Sequence, residues 1–183
     1  MPTLTLTELG RFVAEHYTRD VLRVETRQRY DAESERDDVC RYLAGERAPA
    51  GAGDTPWTRQ MRAHAAAGRS WRVLHAVRQP LSDYLRYECE WGYVHNAAAG
   101  QTIRIAELTD VYEQLGDLLV IDGVHLFRYR YDEADRFADA EQLTNRGEVG
   151  SCLQLLEQLW TAAEPFGRWW TAHPQYHRDT RAA

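Results

Sequence analysis

Residues 80–100, PLSDYLRYECEWGYVHNAAAG, carry the densest set of side chains able to do chemistry: three tyrosines, a tryptophan, a histidine, an asparagine and two glutamates. At 3.6 residues per turn, Tyr84, Tyr87, Trp91, Val94 and Ala98 share one stripe of a helix, and Leu85, Cys89, Gly92, Asn96 and Ala99 the neighbouring one. Two adjoining, mostly apolar stripes form a wide arc that reads first as the wall of a core. Glu88 falls at the edge of that arc. A half-buried carboxylate beside aromatics is either an acid or base with a raised pKa, or the partner of an arginine. Should the chain be an enzyme, Glu88, His95 and Asp122 are its candidate catalytic residues, with an arginine as anchor.

Arginines on predicted strands supply such anchors. Arg104, Arg128 and Arg130, together with Tyr84, are the candidate ligand- or anion-binding residues, because a guanidinium beside aromatic rings binds carboxylates, phosphates or nucleobases. In VHLFRYRY (124–131), Arg128 and Arg130 share a face with Val124 and Leu126, while His125, Phe127, Tyr129 and Tyr131 take the other. The plainer reading is a solvated half-strand.

Other chemistries are excluded by residue type or spacing. All 22 basic residues are arginine, so Schiff-base and Walker-type lysine chemistry is out. Cys40, Cys89 and Cys152 are scattered, with no CxxC pair for a thiolate zinc site, and suit reduced thiols. His173 and His177 are four apart, but Pro174 interrupts any helix that would aim them at one ion. His75 and His125, each on a strand, read as structural. Neither DAESERDD nor DEADRFADAE has the glycine and alternating ligands of a calcium loop. No GxSxG, GxGxxG or HExxH occurs. The expectation is no metal and no cofactor.

The elements that position these residues are set by periodicity. A helix is expected over 5–19 with Thr7 as N-cap, a strand over 21–27, and a second helix over 31–46 with acid in its first turn. RAPAGAGDTP (47–56) reads as a linker. A helix opens at Pro56 and closes at Gly68, a strand spans 70–77, and the helix of residues 80–100 starts behind Ser82. TIRIAEL, a central DLLVI (117–121), an Asp122-Gly123 hairpin, VHLFRYRY and RFADAEQL complete the strands. One long helix, Glu148 to Trp170, turns Leu153, Leu156, Trp160 and Ala163 to one side. The fold class is α/β, a mixed sheet flanked by helices. Its parts are an N-terminal α-β-α extension (1–46), a linker (47–55), a core domain (56–172) and a flexible tail (173–183).

A net charge of −6 opposes broad nucleic-acid binding, which needs a positive surface; a binder using Arg128 and Arg130 is the weakest candidate. No apolar run reaches membrane-spanning length, and MPTLTLTELGRF lacks the features of a signal peptide. The expected location is the cytoplasm.

The strings LRVETRQRYD, PLSDYLRYECEWGY, NAAAGQTIRI and LLVIDGVHLFRYRYDEADRFADAEQL resemble an uncharacterised actinobacterial family, often encoded near small helix-turn-helix regulators and carrying no established activity. From residue 56 onward the order of elements also resembles one half of a phospholipase D-like domain. That superfamily works through a His-x-Lys-x-x-x-x-Asp motif. With Asp122 as the aspartate, Leu115 and Asp117 stand where the histidine and lysine belong, so the resemblance implies a copy unable to perform the reaction. Members without the motif sense ligands or dimerise in regulators. The resemblance therefore implies a non-enzymatic regulatory or ligand-binding module, a homodimer, whose partner is a helix-turn-helix regulator or a small molecule. The alternative is an accessory or tailoring enzyme of a specialised-metabolite pathway.

Overall fold

The structure is a computed structural model and describes residues 3–178. β1 (Thr3–Leu4) is followed by α1 (Leu6–His16), β2 (Asp20–Glu25), α2 (Arg36–Leu43) and α3 (Pro56–Ala66). β3 (Ser70–Val77) leads into a helix made of α4 (Asp83–Tyr87), a π-helical turn (Glu88–Tyr93) and α5 (Val94–Ala98). β4 (Thr102–Glu107), α6 (Asp110–Leu115), β5 (Leu118–Ile121), β6 (His125–Tyr131) and β7 (Phe137–Leu143) come next. α7 (Arg146–Ala162), β8 (Glu164–Pro165) and α8 (Phe166–Ala172) close the chain.

All eight strands form one mixed sheet in the order β1-β7-β6-β5-β2-β3-β4-β8. β2, β3 and β4 run parallel; the other neighbours pair antiparallel. Alternation along each strand sends side chains to two faces. One face (Leu22, Val24, Leu74, Leu118, Val120, Leu126) is covered by α7 through Leu156 and its neighbours. The other (Val73, Val77, Ile103, Ile105) lies under Tyr84, Tyr87, Trp91 and Tyr93, with Phe166 and Trp169 of α8. On that same face α1 covers Val21, Leu119, Ile121 and Phe127.

Several expectations change. Residues 1–46 do not stand beside the core as an extension: β2 lies inside the sheet, paired with β3 on one side and β5 on the other. The cap of α1 is Thr5 rather than Thr7, because only Thr5 has an acid three residues on, and Glu8 closes a reciprocal capping box. The segment 31–46 splits into a short 3-10 turn (Glu33–Glu35) and α2. α6 was not expected; Asp110 opens it and Gly116, at φ 64°, ends it.

The single helix expected over Glu148–Trp170 breaks at Ala163, which is extended, and Glu164–Pro165 pairs with Arg104–Ile105 of β4. Pro165 has no amide hydrogen to give and disfavours helical backbone at Glu164, so the break has its cause in one residue. The expected flexible tail packs instead, as far as residue 178: Tyr176 is buried, and the Arg178 guanidinium lies 3.9 Å over the Tyr42 ring. Residues 179–183 lie outside the described residues.

The Asp122-Gly123 hairpin forms as expected, with both residues at positive φ (53° and 67°). Among the described residues no helix is long and apolar enough to cross a membrane.

Candidate functional site

β2 ends in a charged pair, Arg23 and Glu25, alternating with the buried Leu22 and Val24. Val21, Arg23 and Glu25 share one face, with Leu22 and Val24 on the other. Glu25 is 2% exposed, and in the parallel ladder its partner is His75 of β3, which is fully buried. Both stand at the carboxyl-terminal side of their strands, where open α/β sheets hold ligands. Arg23, 40% exposed, pairs with Glu25 through Oε1 and reaches from it to solvent.

The helix above contributes two more groups, and its π turn decides which. In a regular helix Val94 belongs to the buried stripe. The wider turn inserts a residue and rotates the next turn of the helix by about 100°. Val94 consequently emerges to 39% exposure while Tyr93 is buried at 4%. The Tyr93 hydroxyl donates to Glu25 Oε2 at 2.6 Å and lies 2.7 Å from His75 Nδ1. Glu88, at the start of the π turn, places Oε2 at 3.6 Å from His75 Nδ1; Glu25 Oε2 lies 3.5 Å from the same nitrogen. π turns occur frequently at functional sites.

The orientation of His75 is fixed by its far side. Nε2 lies 3.0 Å from the carbonyl oxygen of Arg27. A carbonyl only accepts, so Nε2 carries a hydrogen, and Nδ1 is the ring nitrogen that faces Tyr93, Glu25 and Glu88. Glu88 Oε2 is sealed from solvent and has no hydrogen-bond partner.

The two carboxyls are driven in opposite directions. Burial pushes Glu25 up, but the Arg23 guanidinium, with His75 and the Tyr93 hydroxyl, outweighs it and leaves the group below the ordinary carboxylate range. Among the described residues Glu88 makes no ion pair with an arginine. Burial, then the negative charges of Glu25 and Glu35, carry it well above that range against the weaker pull of Arg23 and Tyr93.

Tyrosines ring the cluster. Tyr30 and Tyr131 both donate to Asp117 Oδ2, and Tyr84 donates to Glu35 Oε2 at 2.7 Å. Tyr129 completes the ring, its phenol raised by burial to about 12. Asp117 also accepts from the Thr26 amide and hydroxyl; those four bonds make it a strut beneath the tyrosines.

Of the residues singled out in the sequence, the structure brings together Glu88 and Tyr84 and disperses the rest. Asp122 is no acid or base in a pocket. It accepts from the amides of Thr18, Arg19 and Asp20 and from the Thr18 hydroxyl. Against burial, these donors hold its carboxyl at about 2. It clamps the hairpin to the start of β2. His95 lies on α5 against the loop at Gly53. Arg104 caps the end of α7, donating to the carbonyls of Trp160, Thr161 and Ala163. Arg130 pairs bidentately with Asp139, and Arg128 is exposed on the α7 face, opposite the cluster. Arg104 on β4 stands several strands away from Arg128 and Arg130 on β6. Glu25, His75, Tyr93 and Arg23 were missed as a set. The readable signal was the Arg-x-Glu pair interleaved with Val-Leu-x-Val on the strand.

A separate cleft of about 280 Å³ lies at the ends of β3 and β4, lined by Val77, Gln79, Ile105, Glu107, Tyr112 and Trp169 among others. No residue of the cluster lines it, and Glu107 is exposed at its edge.

A family model described as a domain of unknown function, DUF6879, matches residues 7–171. The chain belongs to the DUF6879 family. The matched span takes in every residue of the cluster. No curated protein and no solved structure matches the chain.

Proposed function

We propose that this DUF6879 domain is a small-ligand-binding module, serving regulation rather than turnover, with its ligand at the Glu25–His75–Glu88–Tyr93 cluster. One observation carries the reading. Side chains from β2, β3 and the π turn converge on a single point, where Glu88 Oε2 is buried without a partner. Such orphaned groups are costly in a native interior, and a ligand that completes them explains their retention. Supporting it, the tyrosine ring offers flat walls with hydroxyl ends, and Arg23 together with Glu88, 15% exposed, keeps the point in touch with solvent.

The regulatory setting, a phospholipase D-like ancestry of the sheet, a homodimer and a helix-turn-helix partner belong to the same proposal and rest on resemblance. Leu115 and Asp117 occupy the positions that the phospholipase D reaction would require for histidine and lysine, and Asp117 is engaged by four hydrogen bonds. A second reading, an enzyme of small-molecule metabolism, is favoured by the placing of one imidazole within 4 Å of two carboxylates.

Ligand-observed NMR of chelator-treated protein against a library of small polar metabolites tests the reading. Hits that bind the wild type and are lost in Glu88→Ala, with their spectra unchanged over time, are the expected result. Hits indifferent to Glu88→Ala would overturn the site, and conversion of a hit would favour the enzyme.

A further inference from the structure

We infer that the ligand Glu25, His75 and Glu88 are built to take is a divalent first-row transition-metal ion, of the manganese, iron and zinc class. The inference rests on the cluster being the ligand site. Glu25, His75 and Glu88 each offer one donor atom, all within 4.8 Å of one another. The separations from His75 Nδ1, 3.5 and 3.6 Å, are close to the ~3.4 Å edge of a tetrahedron with bonds of about 2.1 Å.

His75 supplies an independent observation. A metal-binding histidine characteristically gives its other N–H to a carbonyl or carboxylate, which fixes the ring and aims the free lone pair at the ion. The Arg27 carbonyl does this for His75. Glu88 adds a buried oxygen without a partner. Tyr93, 2.7 Å from Nδ1 and 2.6 Å from Glu25 Oε2, is placed at hydrogen-bond distance to orient Glu25.

Arg23 is the cation that would oppose an ion. It engages Glu25 through Oε1 and leaves Oε2 to the cluster. Once an ion displaces the Glu88 proton, two carboxylates face one guanidinium, the balance that suits a divalent cation. One imidazole with two carboxylates selects against magnesium and calcium, which prefer oxygen alone, and against thiolate-seeking copper(I).

Calorimetric titration of chelator-treated protein with zinc and with manganese ions tests this. One ion per chain is expected. Glu88→Gln, close in shape to the protonated side chain, should weaken it by about 100-fold, at the top of the range seen for losing even an outer-shell partner. X-ray absorption on the loaded wild type needs no variant: it should show one imidazole nitrogen with two or three oxygens at about 2.0–2.2 Å. No binding up to millimolar ion, equal binding by Glu88→Gln, or a shell containing sulfur or two imidazoles would overturn the inference. Absent ion binding beside metabolite hits that still depend on Glu88 would reject the ion and keep the site.

Discussion

His75 Nδ1 and Glu88 Oε2 face each other across 3.6 Å with no hydrogen bond between them. That gap is wide enough for a bridging proton or cation, and its occupant sets how the domain responds to pH. In ion-free protein Glu88 binds its proton more tightly folded than unfolded. Its contribution to stability is therefore complete below the ordinary carboxylate pKa, about 4.3, and is lost as pH rises towards the raised folded value. Glu88→Gln removes that dependence. The melting temperature of the variant relative to wild type should climb from pH 4.5 to 8, and scanning calorimetry in chelator checks it. A pH-independent difference would place Glu88 in solvent.

Asp122 runs the opposite way. Its carboxyl is depressed to about 2, so its contribution is present above the unfolded value near 3.9 and is lost as pH falls through 2. Asp122→Ala should cost about 1.5–3 kcal/mol at pH 7, the range for hydrogen bonds to a charged group, and much less at pH 2. Urea melts at both values measure it.

Tyr93→Phe leaves the ring and removes the hydroxyl that serves Glu25 and faces His75. The expected loss is about 1–3 kcal/mol, because a buried charged acceptor is left short of a donor. Chemical denaturation checks it. A neutral effect would mean that Glu25 is satisfied without Tyr93.

Gly100 turns the chain from α5 into β4 at φ +102°, and a Cβ there would stand 2.9 Å from the Ala65 Cβ on α3. Gly100→Ala combines a strained backbone with an overpacked contact, and should destabilise the domain by about 1–3 kcal/mol. Thermal unfolding decides it; a change below the measurement error would contradict the close approach of α3 and α5.

Strands with alternating or continuous apolar patterns were legible in the sequence: 70–77 and the hairpin around Asp122-Gly123 appear where periodicity and turn chemistry put them. The helix break at Pro165 was missed, although the proline signals it, because the apolar stripe from Leu153 to Ala163 reads on to Trp170. The place of β2 was not legible either. Local pattern says that 21–27 is a strand, yet only non-local pairing with β3 and β5 makes it interior.

The site was half legible for the same reason. Glu88 stood out by its edge position, whereas Tyr93 enters only through the π turn, for which ECEWGY gives no periodic sign. His75 looked like a core histidine because the groups facing it, Glu25 and Glu88, are 50 residues before it and 13 after. Asp122 drew notice at the mouth of a turn and proved to be a clamp, since its partners at Thr18 and Arg19 lie more than 100 residues away.

The most direct test of the account is the ring of His75 itself. In ¹⁵N-labelled, chelator-treated protein, long-range ¹H–¹⁵N spectra should show a hydrogen on Nε2, held by the Arg27 carbonyl. Adding zinc ion should move the Nδ1 resonance while Nε2 keeps its hydrogen. An Nε2 without a hydrogen, or resonances that stay put while zinc binds elsewhere, would contradict the site at its centre.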